Sequence, residues 1–77
     1  MIKENELGPQ PLDGVMIRLA LSNGDLVKAS TKQLTHKMVQ KGRRGRRLTL
    51  NVREKILEAL RQIHPEGQYK LQDLFNY

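Results

Sequence analysis

Residues 25–44 read DLVKASTKQLTHKMVQKGRR, and this stretch carries a helical pattern next to the densest positive charge of the chain. Within it Leu34, Met38 and Val39 recur at positions i, i+4 and i+5, with polar and basic side chains around them. Apolar residues at this spacing lie on one face of an α-helix. The pattern therefore predicts a helix over residues 31–41 with an apolar inner face and basic outer faces.

The positive charge is unevenly distributed. No acidic residue lies between Asp25 and Glu54, whereas nine lysines and arginines lie there, and the chain as a whole has a net charge of +6. Cations held this close together repel one another and destabilise a compact state, a cost that a polyanionic partner removes. We therefore expect a nucleic acid as the partner. The RRGRR cluster at residues 43–47 is the main candidate for contact, because guanidinium groups match phosphate geometry.

A second helix is predicted after the arginines. Asn51 and Glu54 have the spacing of a capping box, and an apolar stripe follows at helical intervals up to Ile63. Pro65 then ends the helix. The tail at residues 68–77, QYKLQDLFNY, is apolar enough that it either packs on the core or pairs with another chain.

Residues 15–29 are compatible with two structures. The apolar residues of 15–21 alternate and are followed by Asn23 and Gly24, a pattern typical of a β-hairpin. The same segment fits a short amphipathic helix that ends at Asn23 or Gly24, with Asp25 as the N-cap of the next helix.

Helix is the favoured interpretation, because the hairpin would place apolar Leu19 opposite polar Lys28. The predicted fold class is therefore mainly α. The alternative is an α+β fold with a hairpin at residues 15–29 followed by two helices.

Seventy-seven residues suffice for one small domain. Residues 1–14 contain Gly8 and two prolines among few apolar side chains, so they predict a flexible arm. Residues 15–77 then form a single small helical domain with an apolar C-terminal tail. Since a core of this size gives marginal stability, we expect a homodimer.

Several function classes are not expected. The chain has no cysteine, no Ser, His and acid constellation and no phosphate-binding loop pattern, and it has little room for a deep pocket, so we do not expect an enzyme. His36 and His64 lie far apart without nearby ligands, and we expect no metal and no cofactor. The longest apolar stretch is broken by Arg18, and no signal-peptide core precedes it. We expect a soluble cytoplasmic protein that does not bind membranes.

Residues 25–44 resemble the twenty-residue helix-turn-helix of phage repressors and lac-repressor-type regulators. Ala29 stands where these families have the small residue that packs the first helix against the second. Val39, ten residues later, matches the buried aliphatic residue of the recognition helix. Leu34 and Thr35 match the aliphatic and hydroxyl pair that closes the turn and caps that helix.

Residues 45–60 are similar to the segment after the recognition helix in lac-repressor-type headpieces, where a loop leads into a third helix. The resemblance covers about half of the chain. It implies a small helix-turn-helix bundle that binds DNA, preceded here by the flexible arm.

The resemblance also implies roles for single side chains. Helix 34–41 would place its N-terminal part in the major groove and present side chains to base edges. The candidate base contacts are Thr35, His36, Lys37, Gln40 and Lys41. The candidate phosphate contacts, which give affinity and register without sequence information, are Lys32, Arg43, Arg44, Arg46 and Arg47.

The function predicted in this way is a sequence-specific transcription regulator that binds duplex DNA. It would act as a homodimer whose contact is the third helix or residues 71–77. Two alternatives remain open. An RNA-binding protein would use the RRGRR segment to recognise shape and phosphates, and a small basic adaptor or inhibitor would bind an acidic protein surface.

Overall fold

The structure is a computed structural model that describes Gly8 and residues 10–77. Over these residues five α-helices and one 3-10 turn follow one another without a β-strand. The α-helices are α1 Pro11–Arg18, α2 Asn23–Ala29, α3 His36–Arg44, α4 Leu50–Ile63 and α5 Leu71–Leu74, and the 3-10 turn is Pro65–Gly67. The prediction of a mainly helical fold is confirmed.

The core is built around α4, which packs against α2, α3 and α5. Ile56, Ala59 and Leu60 of α4 are fully buried. The remaining buried apolar residues are Leu12, Val15, Met16, Leu26, Leu34, Val39, Leu57, Leu74 and Phe75, so every α-helix contributes to one cluster. Removing this apolar surface from water is the main source of stability for the fold.

The predicted flexible arm is wrong for residues 11–14, because α1 begins at Pro11. Leu12 is fully buried together with Val15 and Met16, and this spacing of i, i+3 and i+4 is that of one helix face. The predicted domain began at residue 15, so the prediction left Leu12 outside the domain that contains Val15 and Met16, its neighbours on the buried helix face. The rest of the predicted arm, residues 1–7 and 9, lies outside the described residues.

Gln10 connects the start of α1 to two distant parts of the chain. Its side chain is almost fully buried. The amide oxygen accepts a hydrogen bond from the Asn76 N–H (2.9 Å), and the amide nitrogen donates to the carbonyl of Gly8 (3.1 Å). The Gln10 N–H donates to the carbonyl of Arg43 at the end of α3 (3.4 Å). These hydrogen bonds hold Gln10, the residue that precedes α1, in a defined position relative to α3 and the C-terminal segment.

The β-hairpin alternative for residues 15–29 is wrong, because two helices occupy this segment. α1 ends in a left-handed turn at Ala20 (φ 57°), where the Leu21 N–H donates to the carbonyl of Met16 (2.8 Å). The cap of α2 is Ser22 rather than Asp25. Asn23 therefore lies in the first turn of a helix and not at a hairpin turn.

A reciprocal capping box explains why α2 starts where it does. The Ser22 N–H donates to the carboxylate of Asp25 (2.8 Å), and the Asp25 N–H donates to the hydroxyl of Ser22 (3.2 Å). The box satisfies the Ser22 N–H and gives the Asp25 N–H a side-chain acceptor in addition to the carbonyl of Ser22 (3.1 Å).

α3 and α4 are both capped at their N-termini by threonine hydroxyls. α3 begins at His36, so the predicted helix over residues 31–41 starts too early. The Met38 N–H donates to the hydroxyl of Thr35 (3.2 Å). The Val52 N–H donates to the hydroxyl of Thr49 (3.3 Å), so Thr49 caps α4 and the predicted cap at Asn51 is wrong.

The C-terminal tail packs on the core of its own chain, which is one of its two predicted arrangements. Leu74 and Phe75 are buried, and Leu71 and Tyr77 are half-buried against the same cluster. The side chains of Leu74 and Phe75 are therefore not available for a dimer contact.

Two glycines determine how α3 is packed and how it ends. Gly42 is buried inside α3, and a methyl group there would come within 3.1 Å of Leu48 and 3.3 Å of Ile56. Gly45 has φ 95°, and its N–H donates to the carbonyl of Gly42 while the Arg46 N–H donates to the carbonyl of Lys41 (3.0 Å). This pair of bonds is a Schellman motif, which ends the helix.

Replacing Gly45 with Ala should destabilise the protein strongly, and replacing Gly14 with Ala should stabilise it. A Cβ at residue 45 would adopt a left-handed conformation and collide with the backbone of Gly8, which should cost at least about 2 kcal/mol. Among the described residues no heavy atom lies within 4 Å of a Cβ at Gly14, which is exposed in α1, so G14A should gain about 0.5 to 1 kcal/mol. Urea denaturation measures both values, and equal effects would contradict this account.

Candidate nucleic-acid interface

One side of α3 carries a continuous polar and basic surface, here named the α3 face. It consists of His36, Lys37, Gln40, Lys41 and Arg44. These residues span about 140° of the helix circumference. The opposite side holds Val39 and Gly42, both buried against the core. Because the inner side is fixed, the α3 face has a defined orientation relative to the rest of the protein.

The N-terminal end of the α3 face lies against the start of α2. The hydroxyl of Thr35 accepts the N–H of Met38, so its oxygen serves as a helix cap. The imidazole of His36 packs close to Gly24, where its Cε1 would lie 3.3 Å from an added Cβ. Lys37 is exposed. All three are exposed at the surface.

Gln40 is half-buried and has partners within the chain. Its amide oxygen accepts a hydrogen bond from the Asn23 side chain of α2 (2.9 Å). If the amide turns over, its oxygen instead accepts from the guanidinium of Arg44 (2.9 Å). In either orientation the amide oxygen of Gln40 is occupied, so a base contact through this oxygen competes with a hydrogen bond within the protein.

Arg43 lies at the edge of the α3 face and holds three helices together. Its Nε donates to the carboxylate of Asp13 in α1 (2.5 Å), and its Nη1 donates to the side-chain oxygen of Asn23 in α2 (2.9 Å). Its side chain is only 21% exposed. Charge-assisted hydrogen bonds of this kind are stronger than neutral ones. Arg43 is therefore part of the framework that orients α3.

The loop between α3 and α4, residues 45–49, is here named the arginine loop. It places the exposed side chains of Arg46 and Arg47 next to the end of the α3 face. The Leu48 N–H of this loop donates to the hydroxyl of Tyr77 (2.9 Å), and the guanidinium of Arg47 lies 5.6 Å from the centre of the Tyr77 ring. The loop is thus attached to the C-terminal segment.

Lys32 lies in the connection between α2 and α3 and contacts α4. Its ammonium forms an ion pair with Glu58 (3.1 Å), and the hydroxyl of Thr31 donates to the same carboxylate. The hydrogen bond from Thr31, followed by that from Lys32, lowers the pKa of the Glu58 carboxyl. Since Lys32 is 57% exposed, the pair contributes little to stability and can be broken at small cost.

The predicted site residues thus separate into two groups. Eight of the ten lie on the α3 face, at its cap or in the arginine loop, or immediately beside them, whereas Lys32 is directed to α4 and Arg43 is held between helices. Lys37, Lys41, Arg44, Arg46 and Arg47 are exposed, and none of them forms an ion pair with an acid in the part of the chain that is described. These five cations are the uncompensated positive charges of the surface formed by the α3 face and the arginine loop.

Sequence reasoning missed Asp13, Asn23 and Tyr77. Asp13 and Arg43 are 30 positions apart, and the hydroxyl of Tyr77 reaches a carbonyl 31 positions away. No local pattern reports contacts at such separations. A solitary acid in α1 and a tyrosine in an apolar tail are the only signals, and neither specifies a partner.

Among the helices described, none is long and apolar enough to cross a membrane. The described residues also contain no group of three or more His, Cys, Asp or Glu side chains placed to hold a metal ion. Comparison of the chain with known protein families, curated proteins and solved structures gives no significant match.

Replacing Arg43 with Ala should lower the free energy of unfolding by about 1 to 2 kcal/mol, because Asp13 and Asn23 lose their charged partner. Replacing Lys41 with Ala also removes one positive charge, but from an exposed position. This change should alter the free energy of unfolding by less than about 0.5 kcal/mol. Urea denaturation of the two variants provides the comparison. Equal destabilisation would show that Arg43 has no special role in joining the helices.

The cap of α2 should weaken in acid. Hydrogen bonds from the Ser22 backbone and then from its side chain lower the pKa of Asp25 below its ordinary value of 3.8. This contribution is fully present above the unfolded pKa and is lost as the pH falls through the lower folded pKa. NMR titration of the Asp25 carboxyl should give a midpoint below 3.8, and D25N should lack this part of the pH dependence. A midpoint at or above 3.8 would contradict the cap.

Proposed function

We propose that this protein binds duplex DNA through the α3 face and the arginine loop, as a sequence-specific transcription regulator. The observation that carries the proposal is the placement of Lys37, Lys41 and Arg44 along one exposed side of α3, with Arg46 and Arg47 directly after it. None of the five has an acidic partner among the described residues, so a polyanion is the partner that relieves their mutual repulsion.

The dimensions of α3 suit the major groove. Nine residues make a helix of about 13.5 Å, and a helix with its side chains is about as wide as the roughly 12 Å groove of B-DNA. With the N-terminal half of α3 in the groove, Thr35, His36, Lys37, Gln40 and Lys41 are the side chains proposed to meet base edges. Lys37 and Lys41 are the most readily available of these, because Gln40 must first exchange a partner.

We further propose that α2 and α3 form a helix-turn-helix. Three observations support this assignment: α2 packs against α3, Thr35 caps α3, and Val39 is buried where the motif requires an inner aliphatic residue. The connection runs from Ser30 to Thr35 and is longer than the three- to four-residue turn that is usual for the motif.

Phosphate contacts are assigned to Arg44, Arg46 and Arg47, which are exposed at the C-terminal end of α3 and in the arginine loop. Arg43 is instead given the role of orienting α3, because Asp13 and Asn23 already occupy its guanidinium. Lys32 reaches a phosphate only if its exposed ion pair with Glu58 opens.

Duplex DNA is preferred over single-stranded nucleic acid for a chemical reason. Recognition of single strands relies on aromatic side chains on which bases stack. Tyr69, Phe75 and Tyr77 are the tyrosine and phenylalanine residues of the chain, and each of them is buried or half-buried. The Tyr77 ring reaches the arginine loop, but the guanidinium groups of Arg47 and Arg53 lie over it. The exposed surface around α3 therefore offers mainly hydrogen bonds and charge, and His36 is the one aromatic ring among the residues of the α3 face.

A homodimer remains part of the proposal, since a helix-turn-helix commonly binds two half-sites about one helical turn apart. Leu74 and Phe75 cannot form its contact, because they are buried within one chain. Sedimentation velocity with and without DNA tests this point separately from binding.

Salt-dependent binding to a pool of random duplex DNA, followed by sequencing of the bound fraction, tests the function. The combined variant R44A, R46A and R47A should weaken binding to all sequences and reduce the slope of log K against log salt by about two to three units, because each lost phosphate contact removes nearly one unit. The variant K37A and K41A should lose preference among sequences, by about 1 to 3 kcal/mol for each base contact removed.

The matched control is R18A, K55A and K70A, which removes three positive charges from α1, α4 and the start of α5. This control should leave unchanged both the slope of log K against log salt and the preference among DNA sequences. An equal loss in this control would show that net charge alone drives binding. Preference for structured RNA would favour the RNA-binding alternative, and no binding to either nucleic acid at moderate salt would direct the search to an acidic protein partner.

A further inference from the structure

Tyr77 makes a set of contacts with the arginine loop that the proposed function does not use. Its hydroxyl accepts a hydrogen bond from the Leu48 N–H (2.9 Å) and donates one to the carbonyl of Arg46 (3.2 Å). One side-chain group thus satisfies the N–H of Leu48 and the carbonyl of Arg46, two residues that lie between α3 and α4.

The ring of Tyr77 lies between two guanidinium groups. Those of Arg53 and Arg47 are 4.7 Å and 5.6 Å from the ring centre, within the range of cation–π attraction. Arg53 also donates from Nη1 to the carbonyl of Tyr77 (2.8 Å), and Phe75 packs edge-on against the ring at 5.8 Å. Phe75 is part of the core, so the ring is connected to the buried hydrophobic cluster of the protein.

We propose that Tyr77 is a positioning residue for nucleic-acid binding, which holds the arginine loop in the conformation that presents Arg46 and Arg47 to phosphates. A free loop would lose conformational entropy when it binds, and a loop already fixed by Tyr77 avoids much of this loss. The identity of the ligand as a nucleic acid rests on the proposed function, whereas the anchoring of the arginine loop rests only on the contacts of Tyr77.

The hydroxyl can be removed without disturbing the ring. Y77F keeps the contacts with Phe75, Arg47 and Arg53 and removes only the two hydrogen bonds to the loop. We expect Y77F to weaken binding to duplex DNA about three- to tenfold while leaving the salt slope unchanged, because the same phosphates are contacted. Y69F is the matched control, since Tyr69 is a half-buried tyrosine that packs near His64, and its affinity should equal that of the wild type.

A double-variant comparison separates positioning from general stability. In a protein that already carries R46A and R47A, Y77F should cause no further loss of affinity, because the side chains that Tyr77 positions are absent. A threefold or greater loss in that background would overturn the positioning role, since Tyr77 would then act through the fold as a whole.

Amide hydrogen exchange at Leu48 tests the anchor without any ligand. Exchange should become faster in Y77F and remain unchanged in Y69F. Unchanged exchange in Y77F would overturn the anchor, and faster exchange with unchanged DNA affinity would overturn its role in binding. If the wild type binds no nucleic acid, the proposed function fails together with the positioning role, and the exchange result still shows whether Tyr77 fixes the loop.

Discussion

The close packing of α3 against the core at Gly42 is the constraint on which the rest of the structure depends. A side chain of any size at this position would meet Leu48, Ile56 and Leu12, which come from the arginine loop, α4 and α1. Because these three parts approach the backbone of α3 so closely, the helix cannot rotate about its axis without opening the core. The direction of the α3 face follows from this contact on the opposite side of the helix.

The positive charges of the chain serve two purposes. Arg43 and Arg53 are half-buried and hold structural elements together, Arg43 through Asp13 and Asn23, and Arg53 through Tyr77. The exposed cations of the α3 face and the arginine loop form no ion pair with an acid among the described residues. The buried pairs are costly to break because a charge would be left without compensation, whereas the exposed charges are free to meet an anionic partner.

The two ends of the described chain are both attached near the C-terminal end of α3. Gln10 bonds to the carbonyl of Arg43 and to the N–H of Asn76, and Tyr77 bonds to the arginine loop. In a domain with a small core, such polar connections add order where apolar area is limited. They also mean that the surface carrying the arginines is held by both Gln10 and Tyr77, which favours a preorganised binding surface.

The sequence by itself determined that helices lie on both sides of the arginine cluster, the apolar side of α4, the inner position of Val39 and the region of concentrated positive charge. Periodicity and composition are local properties, and these four features depend on nothing else. Two outcomes for the N-terminal half depend on the tertiary structure: residues 15–29 form parts of two helices, and α1 starts early enough to bury Leu12 in the core. The tertiary structure also decides that Arg43 joins α3 to α1 and α2, whereas Arg44 is exposed. These outcomes depend on reciprocal caps and on contacts between residues such as Asp13 and Arg43, 30 positions apart, which no local pattern encodes.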